Sequence, residues 1–184
     1  MSKANMTHQA IEKTERWLEH WVIKENLCPF AHKEWAKKTI RYEVLKTTDD
    51  GEVFDHFLHE LQYLKDNPSI ATTLIIWPNC NDFDDFLGRV AMLEMALQTH
   101  RLDATFQLAH FHPNYTFEGA QSSDAENYTN RSPYPMLHIL RSEDMEKVLS
   151  RYPNPESIPE NNIARMNEIG EERLKAILSK LTSD

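Results

Sequence analysis

His110 and His112 stand two residues apart in an alternating run from Thr105 to His112. Strand side chains repeat every two residues, so both imidazoles project from one face. Such a pair suits two chemistries. It can ligate a transition metal, with a third ligand from Asp124, Asp82, Cys80 or Cys28. Alternatively, one ring can act as a general base near neutral pH. Against both stands a pair of partly buried histidines bonded to backbone. His138 shares a face with Met136 and Leu140 and reads as a satisfied core residue.

A second group follows in the stretch from Pro113 to about Tyr134, which shows no helical or strand period. Loops of that length are uncommon in compact domains and often carry function. This one holds Tyr115, Asp124, Asn127, Asn130, Arg131 and Ser132. Arg131 offers a planar fork for carboxylate or phosphate, and the amides add direction. The expected site therefore has His110, His112 and Asp124 as catalytic groups. Tyr115, Asn127, Asn130, Arg131 and Ser132 would bind the ligand, with His110 and His112 the metal ligands if a metal is held. The competing reading is an ordered surface loop held by its own hydrogen bonds. Cys28 and Cys80 read as structural thiols: Cys28 follows a helix C-terminus, where the dipole disfavours a thiolate, Cys80 stands between Asn79 and Asn81, and no C-x-x-C spacing is present.

The elements that must position these groups follow from periodicity. An amphipathic helix is expected from about residue 8 to 25, and a short helix after Pro29. Strands are expected at 40–45, 71–77, 105–112 and 136–141, the second apolar enough to be buried on both faces. Helices with inward Phe57, Leu61 and Leu64, and inward Phe86, Val90 and Leu93, fill the first two gaps. Ser142 caps a short helix, and one last helix runs through Ile163, Met166, Ile169, Leu174 and Leu181.

The order is β-α-β-α-β-loop-β-α, with extra helices at both ends. It predicts an α/β fold, with mixed α+β as the variant: a single domain over 1–184 with a four-stranded, mostly parallel sheet. The last two strands could pair antiparallel, since no helix joins them. The string also matches a thioredoxin-like core, but no cysteine motif follows the first strand, so redox chemistry does not transfer. If the first three strands are parallel, Asp49, Asp50, Asn79 to Asp82, His110 and His112 meet at their carboxyl edge, where open α/β sheets bind ligands.

Composition narrows the classes. The net charge of −9 with no basic block argues against nucleic acid. Apolar runs are strand-sized, so no membrane span is expected, and the N-terminus shows no secretory signal. A cytoplasmic protein is the expectation. Four glycines, Gly51, Gly88, Gly119 and Gly170, cannot form G-x-G-x-x-G or a P-loop, so no nucleotide cofactor of those kinds is expected.

Three segments carry a resemblance: Asn26-Leu27-Cys28-Pro29-Phe30-Ala31, Phe111-His112-Pro113-x-Tyr115-x-Phe117, and the run from Asn127 to His138. Together they resemble an uncharacterised bacterial family catalogued as a domain of unknown function, number fourteen-fifteen. The resemblance spans nearly the whole chain and implies a bacterial protein. It brings no activity, cofactor or catalytic assignment. The residues themselves suggest a small enzyme acting on an anionic metabolite. The alternative is a non-catalytic module that binds a ligand or a protein, which an exposed apolar patch over Trp17, Trp21 and Trp35 would favour.

Overall fold

The structure, a computed structural model, describes residues 3–183. Helix α1, Lys3–Trp17, widens into a π-helical turn at Leu18–Ile23, and α2, Ala31–Lys37, leads into β1, Ile40–Val44. Then come α3, Asp50–Asp66; β2, Thr72–Ile76; α4, Phe83–Thr99; and β3, Phe106–Phe111. After the long loop follow β4, Met136–Arg141; α5, Ser142–Leu149; α6, Ile158–Ile169; and α7, Glu171–Thr182.

Local chemistry sets the helix ends. Asp49 accepts the Glu52 N–H at 3.0 Å and Asp82 the Asp85 N–H at 2.9 Å, so each satisfies a donor that the first turn leaves over. The single last helix expected from periodicity is instead two. Gly170, at φ 80° and ψ 149°, sits in a region that only glycine populates readily, and the chain turns there between α6 and α7.

The sheet order is β1-β2-β4-β3. It is a mixed sheet rather than a mostly parallel one: β1 and β2 pair parallel, while β4 is antiparallel to both β2 and β3. The physical reason is the connection. β4 returns from a loop without a crossover helix, so it runs back between β2 and β3. Because it opposes both neighbours, β1, β2 and β3 still point one way, and their carboxyl ends share an edge as expected.

Period-2 alternation divides the sheet between two cores. Ile75, Leu137, Ile139 and Phe106 face α3 and α4, packing on Phe57, Leu61, Leu64, Phe86 and Leu93. Ile76 and Met136 face the opposite layer, with Trp17, Trp21, Met166 and Leu174 from the terminal helices. All five β2 residues are buried, as its apolar, β-branched run predicts for a strand covered on both faces. Trp17 and Trp21 are 1% and 0% exposed, so the surface tryptophan patch is absent and the stripe is core. Among the described residues, no helix is long and apolar enough to cross a membrane.

Candidate functional site

The shared carboxyl edge forms, and its links are direct. The Cys80 and Asn81 carbonyls face the His112 ring, joining the β2 exit to the end of β3. Arg89 of α4 donates to Asp50 at 2.9 Å and to the Thr48 carbonyl at 3.2 Å, tying the β1 exit in as well. Its guanidinium also reaches the Cys80 sulfur at 3.8 Å and lies 5.9 Å from the Trp77 ring centroid. Sequence reading missed Arg89, which sits inside a helix with no local motif. Asp49 and Asp82, by contrast, are helix caps.

His110 and His112 do share a face, but that face is packed. His112 is 1% exposed, with Phe83 and Phe86 ring centroids at 5.1 and 5.3 Å. Tyr115 stacks on His110 at 5.5 Å and meets Phe83 at 5.2 Å. Burial pushes both imidazole pKa values down, because a charged ring would lose its hydration. At His112 the carbonyls of Cys80 and Asn81, and then Asp82, oppose the shift; at His110 Glu94 does. His112 Nδ1 accepts the Asn114 N–H at 3.0 Å, so the neutral ring carries its proton on Nε2. That Nε2 and Nδ1 of His110 are buried with no hydrogen bond of normal geometry. Among the described residues, neither histidine belongs to a set of three His, Cys, Asp or Glu side chains with ligand atoms within 4.8 Å.

The 113–134 loop is knit by the very side chains expected to bind a ligand. Asn127 is fully buried, accepts the Phe117 N–H at 2.9 Å and donates to the Gln121 carbonyl at 2.7 Å. Asp124 accepts the Gln121 N–H at 2.8 Å, and Ser132 donates to the Tyr134 carbonyl at 2.6 Å. Arg131 donates from Nε to the Tyr115 carbonyl at 3.2 Å and from Nη2 to that of Ser122 at 2.6 Å. Its guanidinium carbon also lies 4.4 Å from the Tyr128 ring centroid. Asn130 reaches the sheet, donating to the His110 carbonyl at 3.1 Å while its side-chain oxygen takes the Thr129 hydroxyl. The structure thus gathers His110, His112, Tyr115 and Asn130, while Asp124, Asn127, Arg131 and Ser132 hold the loop together.

An open cleft lies on the opposite face of β3. Its volume is about 540 Å³, within the range of roughly 300–1,000 Å³ typical of small-molecule sites. Ala109 and Phe111 form part of its wall, Phe117, Glu126, Thr129 and Asn130 come from the loop, and Ile158, Asn162 and Ile163 come from α6. Val22, Leu27 and Cys28 complete it. Asn162 donates to the Leu27 carbonyl at 2.8 Å, which leaves its side-chain oxygen as an acceptor. Among the described residues, no hydrogen bond or ion pair engages the Glu126 carboxylate, and no lysine or arginine lines the cleft. Cys28 also lines a smaller cavity of about 40 Å³ beside Glu34, Thr72 and His138. Burial pushes the Cys28 thiol up, against the opposing N–H groups of Phe30 and Ala31, so the sulfur is protonated at neutral pH.

A family model described as a protein of unknown function, DUF1415, matches residues 9–176. The chain belongs to the DUF1415 family. No curated protein and no solved structure matches it. The three segments that carry the resemblance lie inside the matched span, and each sends residues to the cleft: Leu27 and Cys28, then Phe111 and Phe117, then Thr129 and Asn130. Sequence reading missed this convergence because the α6 wall is 135 residues from the Leu27 carbonyl it holds.

Proposed function

We propose that this DUF1415 chain binds a small, largely apolar molecule with a cationic or donor-rich head, in the cleft between β3, the 113–134 loop and α6. The observation that carries the reading is the polarity of the cleft. Its walls are mostly apolar, its one charged group is the Glu126 carboxylate, and the Asn162 side-chain oxygen is a further acceptor. Such a site favours a donor and repels an anion. Arg131, which suggested an anionic metabolite in sequence, is held by two carbonyls instead. With a protonated thiol as the one cysteine of the cleft, binding is better supported than attack by sulfur.

The test is a thermal-shift screen of matched amines, alcohols and acids, since a ligand of the native state raises the melting temperature. Amines with an apolar tail should stabilise the protein and matched acids should not. Glu126→Gln should weaken the amine response, and Ile163→Trp, which fills the cleft, should abolish it. A response confined to acids, or one indifferent to both substitutions, would sink the proposal.

An enzyme acting on an anionic metabolite through His110 or His112, with Asp124 assisting, draws support from one feature: each ring has a buried nitrogen without a hydrogen bond of normal geometry. It requires Phe83 and Tyr115 to part from the histidines. Carboxylate-induced shifts in the His110 and His112 NMR signals would favour it, and unchanged signals would remove it.

A further inference from the structure

On the α3 side of the edge strand β1 lies a cluster that neither the cleft nor the strand edge uses. Glu43 of β1 and His56 and Glu60 of α3 each present a ligand atom, and the three lie within 4.8 Å of one another. His56 and Glu60 are four residues apart on one helix, so they share a face one turn apart, the spacing helical metal sites use. Glu43 comes across from the strand. The His56 Nε2 atom is buried and has no hydrogen-bond partner. An unpaired buried ring nitrogen costs desolvation energy, and one nitrogen of this ring lies within 4.8 Å of a ligand atom on each of the two carboxylates.

We propose that Glu43, His56 and Glu60 bind a divalent transition metal ion that staples β1 to α3. One nitrogen and two carboxylates suit zinc and its first-row neighbours. Arg41 supports the site rather than filling it. It donates to Glu60 from Nε at 2.9 Å and from Nη2 at 3.1 Å, and it pairs with Glu43 at 2.6 Å. Its guanidinium lies 3.9 Å from the Tyr63 ring centroid, which holds the fork in place. A carboxylate has about four acceptor positions, so Glu60 keeps capacity for a metal beside both Arg41 bonds and the His59 ring, whose Nδ1 lies 3.4 Å from Oε1. Hydrogen bonds of this kind orient ligating carboxylates. Two carboxylates and one guanidinium leave one net negative charge to attract the dication.

Geometry sets the adjustment required. Zinc at about 2.0–2.2 Å from each ligand brings tetrahedral ligand atoms to roughly 3.5 Å apart, so the outermost must close by about an ångström. Glu60 is fixed, with 0% side-chain exposure, whereas Glu43 is 28% exposed and can rotate inward. The same opening leaves a fourth position for water.

The metal-stripped full chain should be titrated with zinc chloride by calorimetry, and with cobalt chloride by visible absorption. About one equivalent should bind saturably, and His56→Ala and Glu43→Gln should each weaken it by about tenfold or more. His20→Ala, an exposed histidine elsewhere, should leave binding unchanged. Zinc should raise the melting temperature of wild type and not of His56→Ala. Should His56→Ala fail to fold, Glu43→Gln carries the comparison from a partly exposed position. No saturable binding, wild-type affinity in the folded variants, or equal loss in His20→Ala would overturn the proposal.

Discussion

His138 should make the protein lose stability in mild acid by an amount the structure specifies. Its Nε2 is 2.7 Å from Thr72 Oγ1, whose own proton goes to the Ile139 carbonyl, so the neutral ring is the donor in that pair. The ring lines a cavity of about 40 Å³ beside Leu74, Phe111 and Cys28. Burial therefore pushes the folded pKa from 6.5 down to about 4. The sign follows directly. The unfolded imidazole takes a proton near 6.5 and the folded one does not until about 4, so the stabilisation is complete above 6.5 and drains away as pH falls between those values. A difference of about 2.5 units at 1.36 kcal/mol per unit gives a total near 3 kcal/mol, of which about 2 kcal/mol is lost by pH 5. Urea unfolding at several pH values between 7.5 and 5, in wild type and in His138→Gln, isolates this residue. The glutamine amide can still donate to Thr72 but does not titrate. Wild-type stability should fall by about 2 kcal/mol more than that of the variant by pH 5. Parallel curves would mean that His138 does not carry this loss.

Other outcomes follow from named contacts. His110 and His112 should titrate below 6.5 in a proton NMR series, since burial is the largest influence on each ring. Asn127→Ala strips partners from the Phe117 N–H and the Gln121 carbonyl, and should cost about 2–3 kcal/mol in denaturant unfolding. Arg131→Ala should lower stability by about 1–2 kcal/mol by freeing the Tyr115 and Ser122 carbonyls, read from the same unfolding curves. Gly170→Ala meets no atom within 4 Å yet forces φ 80° on a side chain; a loss of about 1–3 kcal/mol is expected from strain alone.

Much of the scaffold was legible because local chemistry writes it. Asp49 and Asp82 announce helix starts, Asn67-Pro68 a stop, and the Thr72–Ile76 run a doubly covered strand. The common direction of β1, β2 and β3 followed from the helices between them. What the pattern could not express was insertion of β4 between β2 and β3, because strand order depends on how a loop returns and not on periodicity. The site was less legible for a related reason. Residues such as Asn127 and Arg131 have the chemistry to bind ligands, and the same chemistry holds a 22-residue loop, 113–134, to itself. The histidine pair was placed on one face, but nothing in its spacing says that Phe83 and Tyr115 cover that face. Glu126 and Asn162 carry no local motif, and only tertiary packing brings them to one cleft.

Crystallographic fragment screening shows where the protein binds without presuming a ligand. Fragments should gather in the cleft, with apolar parts against Phe111, Phe117 and Ile163 and donor groups toward Glu126 and Asn162. Fragments that gather instead around His110, His112 and the Cys80–Asp82 turn, leaving the cleft empty, would contradict it.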